Sequence, residues 1–203
     1  MVRGRPGAVL VIAPTGRRAE SLGPALDAVL PGAQVLHFPA WETLPHERLS
    51  PSPETVGRRL DVLRRIAAWD GTTPLVVTAS VRSALQPLAP GLGDVEPVQL
   101  RVGARGSELE QVTTRLVELA YHRVDMVSRR GEFAVRGGIL DVFPPVADHP
   151  YRVEFFGDEV DQIRAFSVAD QRSLPGEVPE VSLVPSRELL LTCLLYTSPS
   201  PRD

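Results

Sequence analysis

Three short apolar stretches alternate with helix-spaced segments across residues 8–90, and few folds accommodate that order. AVLVI (8–12), AQVLHFPA (33–40) and PLVVTA (74–79) have the length and composition of strands. AVLVI is apolar throughout and is expected to be buried on both faces. After it, Leu22, Leu26, Val29 and Leu30 recur at helical spacing before a Pro31-Gly32 stop, with Pro24 expected to shorten the helix. A second helix opens on Ser/Pro signals near residue 52 and carries Val56, Leu60, Leu63, Ile66 and Ala67 along one side. Arg58, Arg59, Arg64 and Arg65 interleave with those positions and are expected to form its solvated face. Ser80 is placed to cap a short third helix. Strand–helix alternation of this kind makes a parallel α/β sheet.

Past Ala89–Pro97, a Gly/Pro-rich stretch expected to be a linker, the pattern changes. One helix is expected over about Ser107–Ala120, with Leu109, Val112, Leu116 and Leu119 aligned. Strands are then expected at about 123–128, 132–136, 139–143, 151–156 and 159–168. The fold class is therefore α/β: a parallel-sheet domain over 1–94, then a small α+β domain of one helix and antiparallel strands over 95–187.

The segment RRGEFAVRGGILDVFPP (129–145) reads as a hairpin turning at Gly137-Gly138. That turn sets Arg136 opposite Ile139, Val135 opposite Leu140 and Phe133 opposite Val142. One face then carries Phe133, Val135, Leu140 and Val142 and belongs to the core. The other mixes Glu132, Ala134, Arg136, Ile139, Asp141 and Phe143. YRVEFF (151–156) repeats the arrangement, with Arg152, Glu154 and Phe156 opposite Tyr151, Val153 and Phe155. Arginine beside large apolar groups is the composition of a partner surface. It also fits a solvated face on which Arg136 pairs with Asp141 and the phenylalanines lie under a loop. Residue pattern alone leaves both readings open.

Other chemistry is narrowed by composition. All 22 basic side chains are arginine, a usage that points to a GC-rich genome. Without lysine there is no phosphate-binding GxxxxGK[ST] loop and no Schiff-base chemistry. A net charge of −3 argues against sequence-independent nucleic-acid binding. No apolar run is long enough for a membrane span, and the N-terminal one is too short for a signal-peptide core, so a cytoplasmic protein is expected. His46 and Glu47 lack metal-ligand spacing relative to His37, and Trp41–Glu47 reads as a packed loop. His122 and His149 read as surface or turn residues, and Glu154 and Asp161 are placed to face each other across a hairpin with Arg152 nearby. No catalytic residue and no metal site is expected.

FPAWETLPHERLSPSPETVGRRLDVL, RRGEFAVRGGILDVFPP, YRVEFFGDEVDQIRAFSVADQRS and VSLVPSRE together resemble the N-terminal part of the bacterial transcription-repair coupling factor family (Mfd). The second and third are shared more widely with the excinuclease component UvrB, the alternative identity. The resemblance implies an incomplete RecA-like parallel sheet without ATPase motifs, then a small domain that docks the damage-recognition protein UvrA. It maps the UvrA contacts onto Arg136, Arg152 and Phe156, and so favours the partner reading. It implies no cofactor for this chain; ATP and magnesium serve a DNA-translocating motor elsewhere in the parent, whose further partners are RNA polymerase and double-stranded DNA. Residues 193–203 (CLLYTSPSPRD) resemble translated sequencing adapter, and the natural sequence is expected to break off near Thr192.

Overall fold

The computed structural model describes residues 7–43 and 49–188. His46, Glu47 and the tail from Cys193 lie outside the described residues. The chain divides into two compact units, Met1–Val95 and Glu96–Asp203.

In the first unit, β1 (Ala8–Ala13), β2 (Gln34–Phe38) and β3 (Leu75–Ser80) form a parallel sheet in the order β1-β3-β2. The central β3 is buried along its whole length, its Leu75–Val77 run apolar and its Thr78 and Ser80 hydroxyls hydrogen-bonded. The edge strand β1 does not follow the expectation of burial on both faces: Val9, Leu10 and Ile12 are exposed. A strand's own sequence states that it tolerates burial, not that neighbours cover it.

Helix α1 (Gly16–Val29) is capped by the Thr15 side chain and runs through Pro24, which does not shorten it. The helix gives up the hydrogen bond that residue 24 would donate to Glu20. Helix α2 (Pro53–Ala67) starts at the Ser52 cap, with Glu54 in its first turn and Arg64 and Arg65 in its last, both favoured by the helix dipole. Val62 packs with Leu36, Phe38, Leu75, Val77 and Ala79 in a core cluster of this unit. Ser80 caps α3 (Val81–Leu85) through a reciprocal pair of bonds with Ser83. The expected linker is partly packed, because Leu92 is buried with Val56 and Leu60.

Arg58, Arg64 and Arg65 face solvent as expected, but Arg59 does not. It is 0% exposed and donates to Pro39 O (2.9 Å) and Gln86 Oε1 (3.2 Å). Its guanidinium lies over the Phe38 ring (4.3 Å to the centroid) and the Trp41 ring (5.0 Å). The described part of the Trp41 loop is indeed packed: Trp41 N–H donates to Gln86 Oε1, and Glu42 accepts from the Ser52 and Thr55 hydroxyls at the start of α2.

In the second unit, β4 (Val98–Arg101) and α4 (Leu109–Glu118) precede a sheet ordered β5-β6-β7-β8-β9. Its strands are β5 (His122–Arg123), β6 (Glu132–Arg136), β7 (Ile139–Val142), β8 (Tyr151–Phe156) and β9 (Glu159–Ala165). All neighbours are antiparallel except the two-residue β5–β6 pairing. A last strand, β10 (Glu180–Leu183), returns across the sequence to pair with β4, and neither was expected from the sequence. The expected strand at 123–128 stops at Arg123. Beyond it the Glu132 carboxylate accepts from the backbone N–H of Ser128 and of Arg129 (2.8 Å each), bending the chain out of the ladder.

Candidate protein-interaction face

The β6–β7 register is the one the Gly137-Gly138 turn dictates: Arg136 opposite Ile139, Val135 opposite Leu140, Phe133 opposite Val142. Continued into β8 and β9, it sets side chains in rows across the sheet. Val135, Leu140, Val153 and Ile163 form one row of the core face. On the opposite face, one row runs Ala134, Asp141, Arg152, Arg164 and the next Arg136, Ile139, Glu154, Gln162. Phe156 follows at the end of β8, with the parity of Arg152 and Glu154.

This mixed face is half roofed by its own chain. Ala134 and Phe143 are buried with Val127 and Phe166, and Val124 and Val168 pack against them. The loop expectation is thus met for Phe143, whereas Phe156 stands 83% exposed. Between the roofed and open ends sits Asp141, whose side chain is 1% exposed. Its Oδ1 accepts from Arg152 Nε (2.7 Å), and its Oδ2 from both Arg152 Nη2 (2.9 Å) and Arg136 Nη2 (2.7 Å).

The two arginines differ. The Arg152 side chain is 20% exposed, lies over the Phe166 ring (4.8 Å) and donates from Nη1 to Gln171 O (3.4 Å). Its bonds to Asp141 raise its pKa, against the opposing effect of burial. The Arg136 side chain is 58% exposed. The roof over Arg152 escaped sequence reasoning: Phe166 was expected inside a strand at 159–168, but β9 ends at Ala165, and Gln171 lies beyond it. Glu154 does not face Asp161: it pairs with Gln162, and a bulge near Glu154 and Phe155 sets Asp161 out of register.

The described residues contain no group of three or more His, Cys, Asp or Glu side chains placed to hold a metal. Among them no helix is long and apolar enough to cross a membrane. What the geometry offers is a surface: two hairpin turns side by side, with Phe155 N–H donating to Gly138 O (2.8 Å), flanked by an arginine and a phenylalanine.

The family model of the UvrB interaction domain matches residues 98–189. The matched stretch takes in β4, α4, both hairpins and β10. Over a longer stretch the chain is similar to curated transcription-repair-coupling factors. It is 57% identical over 193 residues to that of Mycobacterium tuberculosis (strain CDC 1551 / Oshkosh), covering 93% of this chain and 16% of the relative. Against Bacillus subtilis (strain 168) it is 36% identical over 176 residues, 86% of this chain and 14% of the relative. Against Escherichia coli (strain K12) it is 32% identical over 183 residues, 90% and 15%. The chain therefore spans no more than about a sixth of these relatives. Their name supports the coupling-factor reading over the excinuclease component UvrB.

Proposed function

We propose that this chain is the UvrA-docking module of a transcription-repair-coupling factor, and that it works by binding rather than catalysis. The observation that carries the reading is the placement of Arg136, Arg152 and Phe156 on one sheet face of a UvrB interaction domain, with Arg136 and Phe156 open to a partner. An arginine fork and a rigid exposed ring are the side chains that dominate protein interfaces. In the longer protein the module recruits UvrA, and with it nucleotide excision repair, to RNA polymerase stalled at DNA damage in the cytoplasm. The motor of that protein, an ATP- and magnesium-dependent translocase on double-stranded DNA, belongs to the part outside this chain.

Binding of the 203-residue chain to immobilised, purified UvrA tests this reading. Arg136→Glu is expected to weaken the complex by about 2–4 kcal/mol with circular dichroism unchanged. Undiminished binding by both Arg136→Glu and Arg152→Glu removes this face from the interaction, and a wild-type chain that does not bind removes UvrA as the partner.

A further inference from the structure

Asp141 is a carboxylate with almost no contact with water, set on β7 directly opposite Arg152 of β8. Arg152 closes on it with two donors, Nε and Nη2, and its third bond, to Gln171 O, points it into the roof. Arg136 approaches from the open side and gives the carboxylate one donor, Nη2. An isolated buried carboxylate is costly, and one arginine suffices to neutralise it. Here Arg152 does so from the covered side, and Arg136 is a second cation on the same anion.

We propose that Asp141 is the positioning residue of the docking face. It holds the Arg136 guanidinium by one corner while Arg152 takes the carboxylate's other bonds, so that Arg136 meets its partner already oriented, with Glu154 in the same row of the sheet. This rests on the docking reading above and redistributes its roles. Arg136 and Phe156 make contact, and Arg152 acts through Asp141. The site Arg136 presents is a planar donor fork beside an exposed ring, and it fits a partner carboxylate at the rim of an apolar pocket. Holding one corner of the fork removes rotamer freedom before the partner arrives, which strengthens binding without adding a contact.

Two measurements test the proposal. The first is a double-mutant cycle on the affinity of the 203-residue chain for purified UvrA. Asp141→Asn is expected to weaken binding about tenfold in the wild-type background and by less than about twofold when Arg136 is already alanine. Equal loss in both backgrounds would mean that Asp141 acts only through the fold, and overturns the proposal. The second needs no partner: NMR of the wild-type chain, reading rotation about the Arg136 Nε–Cζ bond. Slowed rotation, released in Asp141→Asn where that variant folds, is the expected result; free rotation in the wild type overturns the hold. A wild-type chain that ignores UvrA sinks the docking reading alone, since the rotation still decides whether Asp141 positions Arg136.

Discussion

Arg136 Nη2 lies 2.7 Å from Asp141 Oδ2, and the pair straddles the edge of the roof: the Asp141 side chain is 1% exposed, that of Arg136 58%. Arg136 carries a charge at the open end of the face, whereas Phe156 acts only on contact. The two residues are therefore expected to fail differently. Arg136→Ala slows association with UvrA and flattens its dependence on ionic strength, because a rim charge acts mainly through encounter. Phe156→Ala leaves association nearly unchanged and speeds dissociation, at a cost of about 2 kcal/mol. Surface plasmon resonance over a range of salt concentrations separates the two.

Arg59 is the largest side chain wholly inside the first unit, and it is held by carbonyl oxygens and ring faces. Arg59→Ala removes hydrogen bonds and packing together and is expected to destabilise this unit by about 3 kcal/mol. Arg59→Lys does not restore it, since an ammonium cannot lie flat on Phe38 while reaching both Pro39 O and Gln86 Oε1. Denaturant unfolding of the three chains gives the ranking, and a lysine variant as stable as wild type would contradict the stacking account.

The sequence made these parts legible to different degrees, for physical reasons. A two-residue glycine turn permits one register, so Arg136 opposite Ile139 could be read directly, and with it the two faces of the hairpin. The Leu-Val-Val run that opens β3 was equally plain. Arg59 was misread by residue type alone. It lies three residues after Val56 and one before Leu60, on the buried side of α2, and helical geometry pointed inward where its charge suggested water. The β4–β10 pairing joins residues about eighty positions apart, and no local pattern announces such a partner. The roof was hidden because Val124–Ser128 was expected to continue a strand, whereas the chain leaves the ladder after Arg123 and Val124 and Val127 pack with Ala134 and Phe143. Hence the sequence located Arg136, Arg152 and Phe156 on one face without showing that Arg152 is largely enclosed.

His37 gives the first unit a pH dependence. It lies on β2 with Nδ1 3.1 Å from Thr78 Oγ1. Burial pulls its pKa below the ordinary 6.5, an effect that the Glu20 carboxylate opposes and Arg58 assists. The unfolded chain takes up a proton near 6.5 that the folded chain refuses, so this contribution is intact above that pH and is lost as pH falls through the folded pKa. Thermal melts between about pH 8 and pH 5 should show wild type losing stability on the acid side, and His37→Gln losing less. Identical slopes would mean that His37 is not the group responsible.

Gly138 tests whether the two hairpin turns are built to touch. Gly137 carries the positive φ of the first turn (+60°), and Gly157 that of the second (+64°), as two-residue hairpin loops demand. Gly138 has a different reason to be glycine: a Cβ there would stand 2.9 Å from Phe155 O, a backbone atom that cannot swing aside. Gly138→Ala must therefore push β8 away from the turn, stretching the bond from Phe155 N–H to Gly138 O. The expected cost is about 1–3 kcal/mol, typical of overpacking against a fixed wall. Because Phe156 follows Phe155 directly, the same shift should also weaken UvrA binding, whereas Gly137→Ala strains its own φ without pressing on β8. Measured side by side for stability and affinity, a Gly138→Ala chain that melts and binds like wild type would show that the hairpins do not rely on this contact to set the Arg136–Phe156 spacing.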